Sequence, residues 1–166
     1  MAEMITLAEA KAHLRVDGSA EDDLIQSMLE AAIDLVETFT GKNLSEREVE
    51  QEFDGWSRIA LYRGPVQQIV RVEYDPTTGG APVVMAGHLL RAGRLYFPAG
   101  TVFPEAHVVR VIYTAGFPLG DIPAALNAAV KVLLTGYYED RAGGDTLAKA
   151  KAAVAGLCRP HRALAV

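Results

Sequence analysis

The chain has 166 residues, half of them hydrophobic and 22% charged, with 16 Lys and Arg against 21 Asp and Glu and a formal net charge of −5. That balance suits one folded domain, with or without an insertion, and argues against broad affinity for nucleic-acid phosphates, which takes clustered cations. Cys158 is the single cysteine, which excludes an intrachain disulfide and a four-cysteine zinc site.

No apolar run reaches the roughly 20 residues that span a bilayer. Residues Met1 to Lys11 lack the basic and apolar regions of a secretory signal, so a cytoplasmic protein is expected. Thr6 and Glu9 stand at capping-box spacing and predict a short first helix with Leu7, Ala10 and Leu14 on one face. Asp17-Gly18-Ser19 should end it. Ser19 with Asp22 should start a second helix, whose acidic first turn, Glu21, Asp22 and Asp23, suits the helix dipole. Leu24, Ile25, Met28, Leu29, Ala32, Ile33, Val36 and Phe39 form its apolar stripe, and Gly41 is placed to terminate it.

From Leu44 the texture changes to short strands and turns. Val49, Gln51 and Phe53 alternate with charged residues, as in a half-buried strand, and Ile59 and Leu61 continue the pattern. Val66 to Tyr74 reads as a strand with Val70, Val72 and Tyr74 on one face. Asp75-Pro76-Thr77-Thr78-Gly79-Gly80 is the clearest loop. Short strands are expected near Val83-Val84, Leu89-Leu90 and Leu95-Tyr96-Phe97. Trp56, just after the Asp54-Gly55 turn, is expected to anchor a sheet face.

The stretch Arg110 to Arg141 organises the rest. It opens as a strand, with Val109, Val111 and Tyr113 on one face and Arg110 and Ile112 on the other. Gly116, Pro118 and Gly120 break it, and Asp121 and Pro123 read as a helix start. Leu126, Ala129, Val130, Leu133, Leu134 and Tyr137 then form one apolar stripe. After Ala142-Gly143-Gly144, Asp145 should cap a last helix in which Leu147, Ala150, Val154 and Leu157 share a face, with Pro160 stopping it.

Motifs for chemistry are sparse. His13, His88, His107 and His161 have no His or Cys at ligand spacing. The Gly-Gly pairs lack the lysine and hydroxyl residue of a phosphate loop, and no serine lies in a nucleophile elbow. Cys158 lies beside Arg159, but a helix-face cysteine is normally packed rather than reactive. No cofactor and no metal site is expected.

The expected class is α+β: a helical bundle of two N-terminal helices, a long central helix and a C-terminal helix, with a small antiparallel β-sheet inserted. The boundaries are 4–43 helical, 44–115 β-rich, 121–158 helical and 159–166 an extended tail.

Three strings carry a resemblance. Thr6-Leu7-Ala8-Glu9-Ala10-Lys11 with Leu14-Arg15-Val16 and Glu21-Asp22-Asp23-Leu24-Ile25 is one. Tyr113-x-x-Gly116, Ile122-Pro123-x-x-Leu126 and Tyr138-x-x-Arg141 make the second, and Leu157-Cys158-Arg159-Pro160-His161-Arg162 the third. In this order they resemble the head–tail connector (adaptor) family of long-tailed phages, prophages and gene transfer agents. The resemblance implies a non-enzymatic virion neck protein, assembled in the bacterial cytoplasm. It implies a homo-oligomeric ring, commonly of twelve, that binds the portal protein on one side and a stopper or other tail-completion protein on the other. Double-stranded DNA would pass without specific binding, and no membrane is involved. The portal-binding segment maps to Arg159, Pro160, His161 and Arg162, with Leu164 and Val166 as apolar anchors. His161 stands where the family often has an aromatic residue, and Cys158 where it often has a small or apolar one. The loop Asp75, Pro76, Thr77, Thr78, Gly79 and Gly80 is the candidate stopper-facing element.

Two other readings are weighed beside it. A DNA-packaging accessory would bind nucleic acid through Lys149, Lys151, Arg159 and Arg162, with steep salt dependence. A small enzyme would show two close carboxylates in a deep pocket.

Overall fold

The computed structural model describes residues 5–57 and 59–162. The chain divides into two compact units: a helical one, drawn from the residues up to Leu44 and from Phe117 onward, and a sheet unit spanning Ser45–Gly116. The class is α+β, with four α-helices and a small antiparallel sheet among the described residues.

In the helical unit, α1 is Leu7–Leu14, α2 Asp22–Thr40, α3 Ala124–Glu139 and α4 Asp145–Cys158. The Thr6–Glu9 capping box is formed in both directions: the Glu9 N–H donates to the Thr6 hydroxyl at 3.2 Å, and the Thr6 N–H donates to the Glu9 carboxylate at 2.9 Å. Helix α1 ends earlier than expected, at Arg15, whose left-handed backbone (φ 58°) turns the chain before Asp17. Helix α2 has Glu21 as its N-cap residue, without a side-chain cap; Ser19 serves through its carbonyl, which accepts the Asp22 N–H. Lys11 makes an ion pair with Asp22 at 2.5 Å and also donates to the Gly18 carbonyl, tying α1 to the first turn of α2. Gly41 closes α2 in the left-handed region, as its position predicted.

The core of this unit is built where the stripes meet. Ile25, Leu29 and Val36 of α2, Leu126, Leu133 and Leu134 of α3 and Val154 and Cys158 of α4 are all buried in one cluster. Each large aliphatic side chain so buried contributes about 1.5–3 kcal/mol. Helices α3 and α4 approach closely at Gly136, where a Cβ would stand 2.8 Å from that of Ala150. Among the described residues, no helix is long and apolar enough to cross a membrane.

In the sheet unit, β1 is Arg47–Asp54, β2 Val66–Pro76, β3 Val83–Val84, β4 Leu89–Arg91, β5 Arg94–Tyr96 and β6 Ala106–Ala115. The main sheet runs β1-β6-β2-β3, and β4-β5 is a separate hairpin. Its inner face, with Val109, Val111, Tyr113, Ile69 and Val72, is buried. The Ile59–Leu61 segment is not strand; it packs on this core as an irregular stretch.

Val70 corrects the face reading of β2. The register slips by one residue between Ile69 and Arg71, so Ile69, Val72 and Tyr74 line the inner side while Val70 is 46% exposed. A bulge of this kind inverts the alternation that a regular strand would keep. Trp56 does anchor a sheet face: its ring lies 5.6 Å from Tyr74, 5.8 Å from Phe97 and 5.0 Å from Phe103, and its N–H donates to the Pro104 carbonyl at 2.7 Å.

Candidate interaction surfaces

The two segments singled out for partners belong to different units. At the C-terminal end, Arg159–His161 does not start an extended tail but continues α4 as one 3₁₀ turn, with Arg162 the first extended residue. Pro160 is tolerated there because the first turn of a helix needs no N–H at that position. Arg159, Pro160 and Arg162 are exposed and His161 half-buried. The Arg162 guanidinium lies 5.8 Å from the centre of the Phe39 ring. Leu164 and Val166 lie outside the described residues.

The expected Asp75–Gly80 loop is shorter than its composition suggested. Asp75 and Pro76 are the last residues of β2, and only Thr77 to Gly80 turn. The Pro76 carbonyl accepts the Gly79 N–H at 3.0 Å, and Thr77 donates to the Glu105 backbone and carboxylate, both at 3.4 Å. Gly79 and Gly80 have positive φ and open space around them.

Between β1 and β2, the outward face of the sheet gathers charge around Arg110. The register places Glu52, Arg110 and Glu73 in one row, Asp54, Val108 and Asp75 in the next, and Glu50, Ile112 and Arg71 in the row on the other side. Arg110 reaches Glu52 at 2.9 Å, Glu50 at 3.1 Å, Asp75 at 3.6 Å and Glu73 at 3.9 Å. The hydrogen bond to Glu52 chiefly raises its already high pKa further; burial opposes this, and the charges of Asp75, Glu52 and Glu50 each add a smaller increase. The charged alternation was legible in β1. Its convergence on Arg110 was not, since Arg110 and Glu52 are 58 residues apart.

The residues of the Tyr113, Ile122 and Tyr138 strings are structural. Tyr113 is fully buried, and its hydroxyl donates to Gln51 at 3.2 Å. Gly116 faces the backbone of Ser45, and a Cβ there would fall 2.1 Å from the Ser45 carbonyl oxygen. Helix α3 starts one turn later than Asp121: Pro123 is its N-cap residue and its carbonyl accepts the Leu126 and Asn127 N–H groups. Tyr138 and Arg141 both donate to Glu21, at 2.7 Å and 3.0 Å.

Among the described residues, no three His, Cys, Asp or Glu side chains are grouped to hold a metal ion. His13 hydrogen-bonds Thr135 at 3.0 Å, and His88 faces the Met85 carbonyl at 3.4 Å. Cys158 is buried, and burial pushes its thiol up, away from the thiolate that a nucleophile needs. The carboxylates around Arg110 sit on a sheet face where Glu50 and Glu52 are about 60% exposed, and not in an enclosed pocket.

Residues 4–63 match the family model described as "Phage gp6-like head-tail connector protein". A comparison with curated protein sequences gives no match. Among solved structures, 98% of the chain superposes on 91% of a chain in the neck of an empty gene transfer agent particle computed with C6 symmetry, at TM-score 0.79 and 26% identity. The same shares of both chains superpose for a chain in the virion of a native gene transfer agent particle, at TM-score 0.78 and 28% identity. They do so again for a chain in the neck of a native particle computed with C12 symmetry, at TM-score 0.79 and 27% identity. The resemblance read from the three sequence strings is borne out.

Proposed function

We propose that this chain, a head–tail connector of a phage or gene transfer agent particle neck, forms a ring of twelve copies that docks to the portal and leaves a passage for DNA. The observation that carries the reading is similarity over nearly the whole chain to subunits of such necks, one of them computed with twelve-fold symmetry. The protein acts by holding other proteins together and does no chemistry.

The C-terminal segment is the portal-binding element. Arg159 and Arg162 are exposed cations at the end of a rigid helix, placed to meet carboxylates, while the apolar Leu164 and Val166 follow in sequence as anchors for a groove. One such segment binds weakly; a ring presents many copies together, and their linked binding gives the affinity. Of the Asp75–Gly80 segment, the Thr77–Gly80 turn beyond the end of β2 faces the stopper or another tail-completion protein, its glycines leaving the backbone open to close approach. A net charge of −5 keeps the passing DNA from adhering.

Deletion of residues 159–166, which leaves the buried Cys158 in place, tests the tail assignment. The truncated chain should keep its circular dichroism spectrum and melting transition and lose co-sedimentation with the portal. Replacing both Arg159 and Arg162 with Glu should have the same effect. Undiminished portal binding by both variants would refute the assignment.

A further inference from the structure

The β4-β5 hairpin presents an arrangement that its own unit leaves unsatisfied. Its register pairs Leu89 with Tyr96, Leu90 with Leu95 and Arg91 with Arg94. Leu90 and Leu95 face the sheet-unit core. On the other side, Leu89 and Tyr96 are 43% and 44% exposed, and Arg91 and Arg94 are both exposed beside them. Like charges directly opposite one another on paired strands are destabilising. Among the described residues, neither guanidinium has a carboxylate at ion-pair distance. The two-residue turn, with Ala92 at φ 49° and Gly93 at φ 74°, holds the pair at the tip. The result is a short finger with an apolar step and two unpaired cations.

The same unit carries the complement. Among the described residues of β1, β2 and β6, six acidic side chains, Glu48, Glu50, Glu52, Asp54, Glu73 and Asp75, share the outward sheet face with two cations, Arg71 and Arg110. Val84 of β3, 58% exposed, is the register partner of Glu73 and extends the row Glu52, Arg110, Glu73. An exposed apolar residue thus borders an acidic field, as Leu89 and Tyr96 border Arg91 and Arg94. Over residues 45–116 as a whole, eight acidic and seven basic side chains nearly cancel. The charge is therefore segregated within a nearly neutral unit, which favours a partner built the same way over a polyanion.

We infer that the β4-β5 finger of one copy docks on the acidic outward sheet face of the next. Leu89 and Tyr96 cover Val84, and Arg91 and Arg94 meet Glu52, Asp54, Glu73 and Asp75. The contact is head-to-tail, the type that closes into a ring. It rests on the ring reading above and identifies the surfaces that would build it. Complementary charge at such a contact fixes register and makes assembly weaken with added salt.

The test is a charge swap. Arg91→Glu with Arg94→Glu reverses the finger. Glu52→Lys with Asp54→Lys reverses the face and leaves Arg110 its partners Glu50, Glu73 and Asp75. The finger variant should keep the wild-type melting transition; the face variant, which sets a lysine opposite Arg110, should melt lower but still cooperatively. Each should shift by light scattering from ring to monomer mass. An equimolar mixture should reassemble, because a Glu finger fits a Lys face and an Arg finger fits a Glu face in alternation. A second readout does not depend on reversed charge: copies with Arg94→Cys mixed with copies with Glu52→Cys should form a mixed disulfide, native Cys158 being buried. Assembly of both reversed variants like the wild type, without the mixed disulfide, overturns this inference and leaves the proposed function standing. A wild-type chain that stays monomeric even with the portal present, and gives no mixed disulfide there, overturns both. Loss of duplex DNA binding by the finger variant with assembly unchanged gives the finger to DNA and likewise overturns the inference.

Discussion

The hydroxyl of Tyr138, near the end of α3, donates to the carboxylate of Glu21 at the start of α2 at 2.7 Å, across 117 residues of sequence. Arg141 binds the other oxygen of the same carboxylate at 3.0 Å, and its guanidinium lies 5.1 Å from the Tyr138 ring centre. The Tyr138-x-x-Arg141 string is thus a clamp that fixes α2 against α3. The hydrogen bond from Tyr138, then that from Arg141, holds the Glu21 carboxyl below the ordinary glutamate range. A group whose folded pKa is depressed contributes stability above its unfolded pKa and loses it as pH falls through the folded value. Glu21→Gln should therefore lower the melting temperature at neutral pH, and the gap to wild type should narrow as the solution is acidified below the ordinary glutamate range. Tyr138→Phe should be partly redundant with Glu21→Gln, so the double variant should lose less than the two single losses added. A gap that does not change with pH would contradict the clamp.

Gly116 is fixed by two constraints. Its φ is 137°, and a Cβ would sit 2.1 Å from the Ser45 carbonyl oxygen, a backbone atom that cannot swing aside. Gly116→Ala should cost about 3 kcal/mol, combining a positive-φ penalty with displacement of the Ser45–Glu46 backbone. Denaturant unfolding measures this, and an unchanged midpoint would show that the close approach does not exist in solution.

Leu133 tests the helical core. It is fully buried in the cluster shared with α2 and α4. Leu133→Asp places an unpaired carboxylate among aliphatic groups and should cost about 4 kcal/mol, near the upper end for single substitutions. The variant is expected in the insoluble fraction or without a cooperative melt. A soluble variant melting like the wild type would show that α3 is not interior.

Where local chemistry and packing agree, the sequence was legible. The Thr6–Glu9 box, the Gly41 terminus and the α3 stripe through Leu126, Ala129, Val130, Leu133 and Leu134 all form as read. The errors have physical causes. Residue type alone makes Asp145 the cap of α4, but it is the first helical residue. The cap is Asp140, whose carboxylate accepts the Thr146 and Leu147 N–H groups at 3.1 and 3.2 Å from six and seven residues upstream. Those backbone donors, with the Gly144 N–H foremost, hold its pKa down. The turn Arg141–Gly144 folds Asp140 back into capping position, which no fixed sequence offset announces. The bulge at Val70 inverts a face that alternation alone assigns wrongly. The acidic sheet face required knowing that β6 lies between β1 and β2, a pairing order that no single strand encodes.

For the candidate sites, composition was informative about residue type and poor about extent. Asp75 and Pro76 carry turn chemistry yet end a strand, because β2 keeps pairing with β6 as far as Ala106. Pro160 reads as a helix stop and 159–166 as an extended tail, yet a 3₁₀ turn over Arg159–His161 accommodates the proline. The hairpin finger went unread because Leu89, Arg91, Arg94 and Tyr96 acquire meaning only through their cross-strand register.

Electron microscopy of the purified chain mixed with its portal tests the central claim most directly. The expected image is a twelve-membered ring of this chain seated on the portal around an open channel, with the C-terminal segments on the portal side. A portal that remains bare while this chain stays a dispersed monomer would contradict it.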